Sequence, residues 1–335
     1  MASSPTVGLI FSGAGSAGVG AEQAGFEVKY LVDPRDFIVT QTWETNFPGA
    51  KWSRKLEDLR DEPVDLIIGS PPCSKYSLLN RTKTRLDLYA TNPKRVEYTA
   101  FLREINERQP KAFVLENLPR IRSFLFFTYN PDDPTFYVHY YNKKKRQMET
   151  RPVLTLPGYR IFQYVIDTAD LGMAQTRKRL FIVGVRSEYP WSWTPPQRKP
   201  EWLNRAIRDL SEEADNNQKD WLSEQERRLW KRLKYKEKSD ANRKVRKMPP
   251  KEPCATIVSA SLRYYHYKEP RFLTPRECAR VQGFPDSFVF CGSTRQQLNQ
   301  IGKAIAPPIV ETLARQIKTT IELIDQTNAL ERLMR

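Results

Sequence analysis

This sequence predicts an α/β protein, a mixed, mostly parallel sheet with helices on both faces. Three observations carry that prediction. Short apolar runs at residues 7–11, 28–32, 64–68 and 112–115 alternate with helical patterns, the rhythm of βαβ units. A glycine-rich turn, Gly13-Ala14-Gly15-Ser16-Ala17-Gly18, follows the first run. The third run leads into Gly69-Ser70-Pro71-Pro72-Cys73, which sets a thiol on the turn leaving a strand's carboxyl end, where open α/β sheets place ligands.

The chain is long enough, at 335 residues with 39% hydrophobic, for one large core and a smaller lobe. No apolar run approaches bilayer length, and residues 1–5 lack the basic and apolar regions of a signal peptide. A cytoplasmic protein with no membrane partner is expected. The four cysteines, Cys73, Cys254, Cys278 and Cys291, show no zinc-like spacing, so reduced thiols and no metal are expected. A formal net charge of +16 points to a polyanionic partner, with nucleic acid first.

Taken in order, the first strand and its glycine turn read as G-x-G-x-x-G, and Asp33 lies 20 residues beyond Gly13 at the end of a second strand. Glycines let backbone approach a ligand, and the acid accepts hydrogen bonds from ribose hydroxyls. The pattern serves NAD as well as S-adenosylmethionine. Asp58 closes a third strand-end position, as a partner for an adenine amino group or as an ordinary surface acid. In the next turn Pro71 and Pro72 fix the backbone ahead of Cys73 and deny it a helix. Arg81, Lys83 and Arg85 then form a basic loop suited to phosphates or to solvent. Residues 95–108 read as an amphipathic helix, and the strand at 112–115 ends in Glu116-Asn117, on the rim expected for Cys73.

Residues 121–157 are expected to be irregular, an insertion carrying Lys143 to Arg146 among aromatics. Residues 159–166 and 180–185 read as late strands, an antiparallel pair. The segment between them ends Gln175-Thr176-Arg177-Lys178-Arg179, and an extended chain puts Arg177 and Arg179 on one side. A composition shift near Ser187 opens a second, smaller lobe at 187–252, between a main domain at 1–186 and its return at 253–335. The lobe holds five of the seven tryptophans, and residues 227–251 carry twelve Lys or Arg. Thr274-Pro275-Arg276-Glu277 reads as a capping box, and a last helix from about Pro308 lines Val310, Leu313, Ile317, Ile321 and Ile324 along one face.

Together these motifs resemble the DNA (cytosine-5) methyltransferase family, in order and nearly end to end. Phe11-Ser12-Gly13-Ala14-Gly15 resembles its first cofactor motif, Pro72-Cys73 its Pro-Cys and Glu116-Asn117-Leu118 its Glu-Asn-Val. Residues 175–179 are similar to its Gln-x-Arg-x-Arg, residues 271–284 to its penultimate motif, and Gly302-Lys303-Ala304-Ile305 with Pro307-Pro308 to its last.

The resemblance implies a Rossmann-like S-adenosylmethionine-dependent methyltransferase fold with a target-recognition lobe. It implies a monomer acting on double-stranded DNA, flipping the cytosine from its stack. Cys73 would add to C6, since C5 of cytosine is a poor nucleophile. Glu116 would hold N3 and the exocyclic amine, and Arg177 or Arg179 would bind O2. The donor, S-adenosyl-L-methionine, would meet Phe11, Gly13, Ala14, Gly15, Asp33, Pro34, Asp58, Leu59 and Pro72, with Lys303 and Ala304 closing the pocket. Ser74, Ser77, Asn117 and Gln175 would touch the substrate.

Three positions depart from the family pattern. Ser74 replaces a Gln, Ala174 a Pro and Lys303 an Asn. An ammonium near a sulfonium is unfavourable without an intervening anion. That anion is a DNA phosphate, the donor's own carboxylate, or an added carboxylate on the transferred carbon of carboxy-S-adenosyl-L-methionine, which would deliver a carboxymethyl group. An RNA cytosine methyltransferase and an inactive DNA-binding module are the rival readings.

Overall fold

The computed structural model describes residues 4–34, 38–72, 97–123, 125–127, 134–142, 147–210, 215–217, 219–234, 245–259 and 263–334. The first half of the chain builds strands β1 Thr6–Ile10, β2 Glu27–Val32, β3 Lys51–Ser53, β4 Leu66–Gly69 and β5 Ala112–Asn117. Helices α1 Ser16–Gln23, α2 Ile38–Asn46 and α3 Glu97–Arg108 lie among them. Then come β6 Leu125–Phe127, β7 Thr135–Asn142, β8 Gln147–Thr155, β9 Tyr159–Asp167, β10 Gln175–Thr176 and β11 Lys178–Arg186. The remainder holds α4 Leu203–Ile207, α5 Glu224–Arg232, β12 Val245–Lys247, β13 Cys254–Ala255, β14 Arg263–Tyr265, α6 Pro275–Gln282, α7 Thr294–Lys303 and α8 Pro307–Leu333.

Among the described residues the main sheet has the order β3-β2-β1-β4-β5-β11-β9. Strands β1 to β5 are parallel, and β11 runs antiparallel to both β5 and β9. Both sheet faces are buried, so successive side chains feed two cores. Leu66, Ile68, Phe181 and Val183 enter the larger core with α1, α2 and α8, whereas Ile67, Leu180 and Ile182 join α3's Tyr98, Phe101, Leu102 and Ile105 in the second. Helix α8 buries Val310, Leu313, Ile317 and Ile321, with Ile324 at the margin. The expected α/β sheet, antiparallel pair and closing helix are all present.

One expectation changes. Residues 121–157 include an antiparallel meander, β6-β7-β8, where irregular chain was expected. Its aromatic and β-branched residues favour a pleated surface. Lys143 to Arg146, between β7 and β8, lie outside the described residues, as do Arg81, Lys83 and Arg85. The segment expected as a second lobe contributes to two cores. Tyr189, Trp191, Leu203 and Ile207 belong to the larger core, and the Trp191 indole donates to the Tyr164 hydroxyl at 2.8 Å. A separate small core joins Leu222, Leu229, Trp230, Leu233 and Val245 to Tyr265 and Phe272. Those two rings lie beyond the expected boundary at 252 and stack with centroids 5.0 Å apart. Apolar surface from both sides of that boundary is thus needed to fill the lobe.

Candidate active site

The parallel strands deliver their residues to one rim. At the end of β1, Phe11 takes φ 54°, a left-handed conformation that a bulky residue adopts at a cost of about 1–3 kcal/mol. Gly13 follows at φ 54°, and a Cβ built on it meets nothing within 4 Å. The backbone there borders open space. Gly13 is held from two sides, its amide donating to Asp33 Oδ2 at 2.8 Å and its carbonyl accepting from the Trp43 indole at 2.8 Å. Asp33, at the end of β2, is buried and Pro34 beside it is exposed. Gly15 caps α1 at φ 84°, where a Cβ would lie 2.7 Å from the Phe47 ring; Ala14 between them is buried.

Beyond β3, Asp58 sits on a single 3-10 turn, Glu57–Leu59. Its Oδ2 accepts from the Ser53 hydroxyl at 2.5 Å, while Ser53 Oγ accepts from the Lys55 amide at 3.1 Å. Asp58 is exposed and Leu59 half-buried. Ser53 and Trp43 were missed from sequence. Ser53 had a signal, since a serine closing the strand before Asp58 is within reach of it.

The next strands carry the second half. Glu116, at the end of β5, is buried and has both oxygens engaged. Oε2 accepts from the Ser70 hydroxyl at 2.6 Å, and Oε1 lies 3.0 Å from Arg179 Nε. Asn117 Nδ2 donates to the Pro71 carbonyl at 3.1 Å, and its Oδ1 accepts from the Leu118 amide. That side chain therefore ties the end of β5 to the Pro-Pro turn. Pro72 is half-buried. Cys73, Ser74 and Ser77 lie outside the described residues. Ser70 was not singled out from sequence, although it stands at a strand end ahead of the two prolines.

Arg177 does not share Arg179's side. Its guanidinium, 3% exposed, donates to the carbonyls of Ile257 at 2.9 Å, Gly302 at 3.2 Å and Ala304 at 2.9 Å. These last two carbonyls are at the C-terminus of α7, where helix carbonyls lack intrahelical partners and a cation is favoured. The expectation that both arginines face one way is corrected here. Residues 175–176 pair with β13, whereas Lys178 opens β11 of the main sheet, so the chain changes sheets between the two arginines.

Gln175, expected at the substrate, is fully buried. It donates to Gln282 Oε1 at 2.7 Å and accepts from the Ile257 amide at 2.6 Å. Gln282 in turn donates to the Ala304 carbonyl at 2.8 Å. Gln175, Arg177 and Gln282 thus form a buried clamp on the segment ending α7. Lys303 on that segment is exposed, and among the described residues it has no hydrogen-bond or ion-pair partner; Ala304 is buried.

A family model for C-5 cytosine-specific DNA methylase matches residues 6–319. The chain belongs to that family. Among the relatives of this C5 methylase, the type II methyltransferase M.NgoFVII of Neisseria gonorrhoeae is 28% identical, covering 93% of this chain and 86% of its own. The type II methyltransferase M1.HphI of Haemophilus parahaemolyticus is 26% identical, over 92% and 85%. A prophage-encoded E. coli protein assigned as a DNA modification methyltransferase shares the methylase fold with a TM-score of 0.71 and 23% identity. That alignment covers 95% of this chain and all of the other.

Proposed function

We propose that this C5 methylase transfers a one-carbon group to C5 of a flipped cytosine in double-stranded DNA, through a covalent bond between Cys73 and C6. The observation that carries the reading is the Ser70–Glu116–Arg179 cluster on β4, β5 and β11, next along the rim from the open Gly13 turn and Asp33. The residues fit S-adenosylmethionine. Gly13 leaves space that a side chain would fill, and the buried Asp33 carboxylate beside it suits ribose hydroxyls. On this reading Phe11, Gly15, Asp58 and Leu59 complete that half, and Lys303 and Ala304 close the pocket. Bound there, the donor supplies an electrophilic methyl group.

Glu116 accepts from the exocyclic amine and shares a proton with N3, so that negative charge entering the ring at thiolate addition is neutralised where it develops. Arg179 donates to O2 and, through Nε, holds Glu116 in place. The Cys73 thiolate would add to C6, C5 would take the methyl carbon as its bond to the donor's sulfur breaks and S-adenosylhomocysteine leaves, and loss of the C5 proton to water would restore the ring and release the thiolate. Donor and base halves come from one chain, which supports a monomer. Among the described residues no helix is long and apolar enough to cross a membrane.

Mass spectrometry of nucleosides from duplex DNA incubated with enzyme and S-adenosylmethionine tests the reading. A cytosine heavier by one methyl, lost in Cys73→Ala, is expected. Modification of tRNA alone would favour the RNA reading, and no product on either an inactive DNA-binding module. A second reading, carboxymethyl transfer from carboxy-S-adenosylmethionine, draws on the ammonium of Lys303, which is without a side-chain partner among the described residues and suits an added carboxylate as counter-ion. An unchanged donor preference in Lys303→Asn would end it.

A further inference from the structure

Helix α3 carries an ion pair to which neither half of the site gives a role. The side chains of Glu104 and Arg108 are 2% and 4% exposed, with Arg108 Nε 3.1 Å from Glu104 Oε2. They lie beside the apolar residues Phe101, Leu102 and Ile105. Taking such a pair out of water costs about as much as its Coulomb attraction returns, so stability alone is a weak reason for it. What Arg108 touches is more informative. Its Nη2 donates to the Leu56 carbonyl at 2.9 Å and its Nη1 to the Leu59 carbonyl, with the Tyr30 hydroxyl at 3.2 Å from Nη1. Those two carbonyls bracket Glu57 and Asp58.

Apart from the Ser53 bond to the Asp58 side chain and the packing of Leu56 and Leu59 on the core, the turn's backbone has little else to fix it. A three-residue 3-10 segment is too short to persist alone, and its own backbone bonds are long, 3.3 Å from the Arg60 amide to Glu57 and 3.4 Å from the Glu62 amide to Leu59. Glu104 adds a second anchor, because its other oxygen accepts from Arg60 Nη2 at 2.5 Å, just beyond the turn. Tyr30 reaches Arg108 only because residue 8 is glycine, where a Cβ would stand 2.1 Å from the phenol ring. The same helix supports the other half of the rim, Phe101 packing where a Cβ on Gly69 would stand 2.4 Å away.

We propose that Arg108 and Glu104 are positioning residues that hold the Glu57–Leu59 turn, and with it Asp58, in register with the adenine amino group of the methyl donor. The pair thereby sets the enzyme's selectivity for the donor's base. This rests on Asp58 being the partner of that amino group.

The test compares the dissociation constants of S-adenosylhomocysteine and S-inosylhomocysteine, in which an oxo group replaces the amine. A folding defect lowers the active fraction for both ligands and leaves their ratio unchanged; a misplaced turn changes the ratio. The native enzyme is expected to favour the adenine form by on the order of 10- to 100-fold, and Asp58→Ala to abolish that preference. Arg108→Lys keeps the charge but loses the planar fork that spans four acceptors. It is expected to cut the preference by about tenfold, with kcat at saturating donor within about twofold of native. Glu104→Gln, which keeps the side chain's shape, is expected to act in the same direction and serves if Arg108→Lys does not fold. A lost preference in Asp58→Ala with a native ratio in both α3 variants would overturn the inference and leave the reading of Asp58 standing. Equal weakening of both ligands would do the same. No preference in the native enzyme, or one untouched by Asp58→Ala, would overturn the reading of Asp58 itself.

Discussion

Arg179 Nε stands 3.0 Å from Glu116 Oε1, across the antiparallel pair β11 and β5. The contact fixes one oxygen of the carboxylate while Ser70 fixes the other. Arg179→Ala frees Glu116 to rotate and removes the donor proposed for O2. We expect kcat to fall by about 10²- to 10³-fold, the scale of losing one preorganised donor, with DNA affinity changed far less. Single-turnover kinetics alongside filter binding separates the two, and an equal fall in both would contradict the assignment.

Arg177 predicts a different signature. Arg177→Met strands the carbonyls of Ile257 and Gly302 in a dry interior and leaves that of Ala304 to Gln282 alone. A loss of about 3 kcal/mol is expected, together with a raised KM for the donor, whose pocket that segment closes on the proposed reading. Thermal unfolding with donor titration would show both; a native melting temperature would mean that water replaces the guanidinium.

At Asn117 two substitutions should rank in a definite order. Asn117→Ala removes the bond to Pro71 and is expected to cost about 1–2 kcal/mol. Asn117→Asp aims an oxygen at that carbonyl and should be worse in both stability and kcat. The reverse order would show that the turn is held by something other than the Nδ2 donor.

His266 gives the folded state a pH dependence. Burial, reinforced by the Arg271 charge and opposed by Glu277 and Glu269, lowers its pKa from 6.5 to about 4. Lys219 adds a further positive charge nearby. Nδ1 already accepts from the amides of Lys268 and Glu269, at 3.2 and 2.9 Å, so the native fold uses the neutral ring. As pH falls below 6.5 the unfolded chain takes a proton that the native chain refuses, and stability declines until about pH 4. The total is about 3 kcal/mol at most. Urea midpoints measured between pH 7.5 and 4 should show this slope, and His266→Asn should flatten it. An unchanged slope in that variant would assign the effect to other groups.

Much of the architecture was legible in the sequence. Doubly buried strands advertise themselves as short apolar runs, and the Thr274 capping box is formed, with Glu277 returning the bond to the Thr274 amide at 2.9 Å. The rim positions of Glu116 and Asp33 followed from strand ends. What could not be read was partnership. Period-two reasoning grouped Arg177 with Arg179 because nothing local reveals that the chain changes sheets between them. The meander β6-β7-β8 was hidden by the charge run between its longer strands. The small core around Leu222 and Trp230 takes in Tyr265 and Phe272, from sequence that reads as part of the main domain. The clamp on α7 likewise depends on meetings between distant segments.

The strand order has a further consequence. Gly13, Asp33 and Asp58 follow β1, β2 and β3, while Ser70 follows β4 and Glu116 and Arg179 belong to β5 and β11, and the two groups meet where β1 lies beside β4. On the proposed reading, one co-substrate rests on each side of that seam. Neighbouring strands stand about 4.8 Å apart, so on that reading the sheet, not the loops, fixes how far apart the two groups of side chains start. Surrounding loops are then free to lengthen, shorten or change the target they read without retuning the reach of the chemistry.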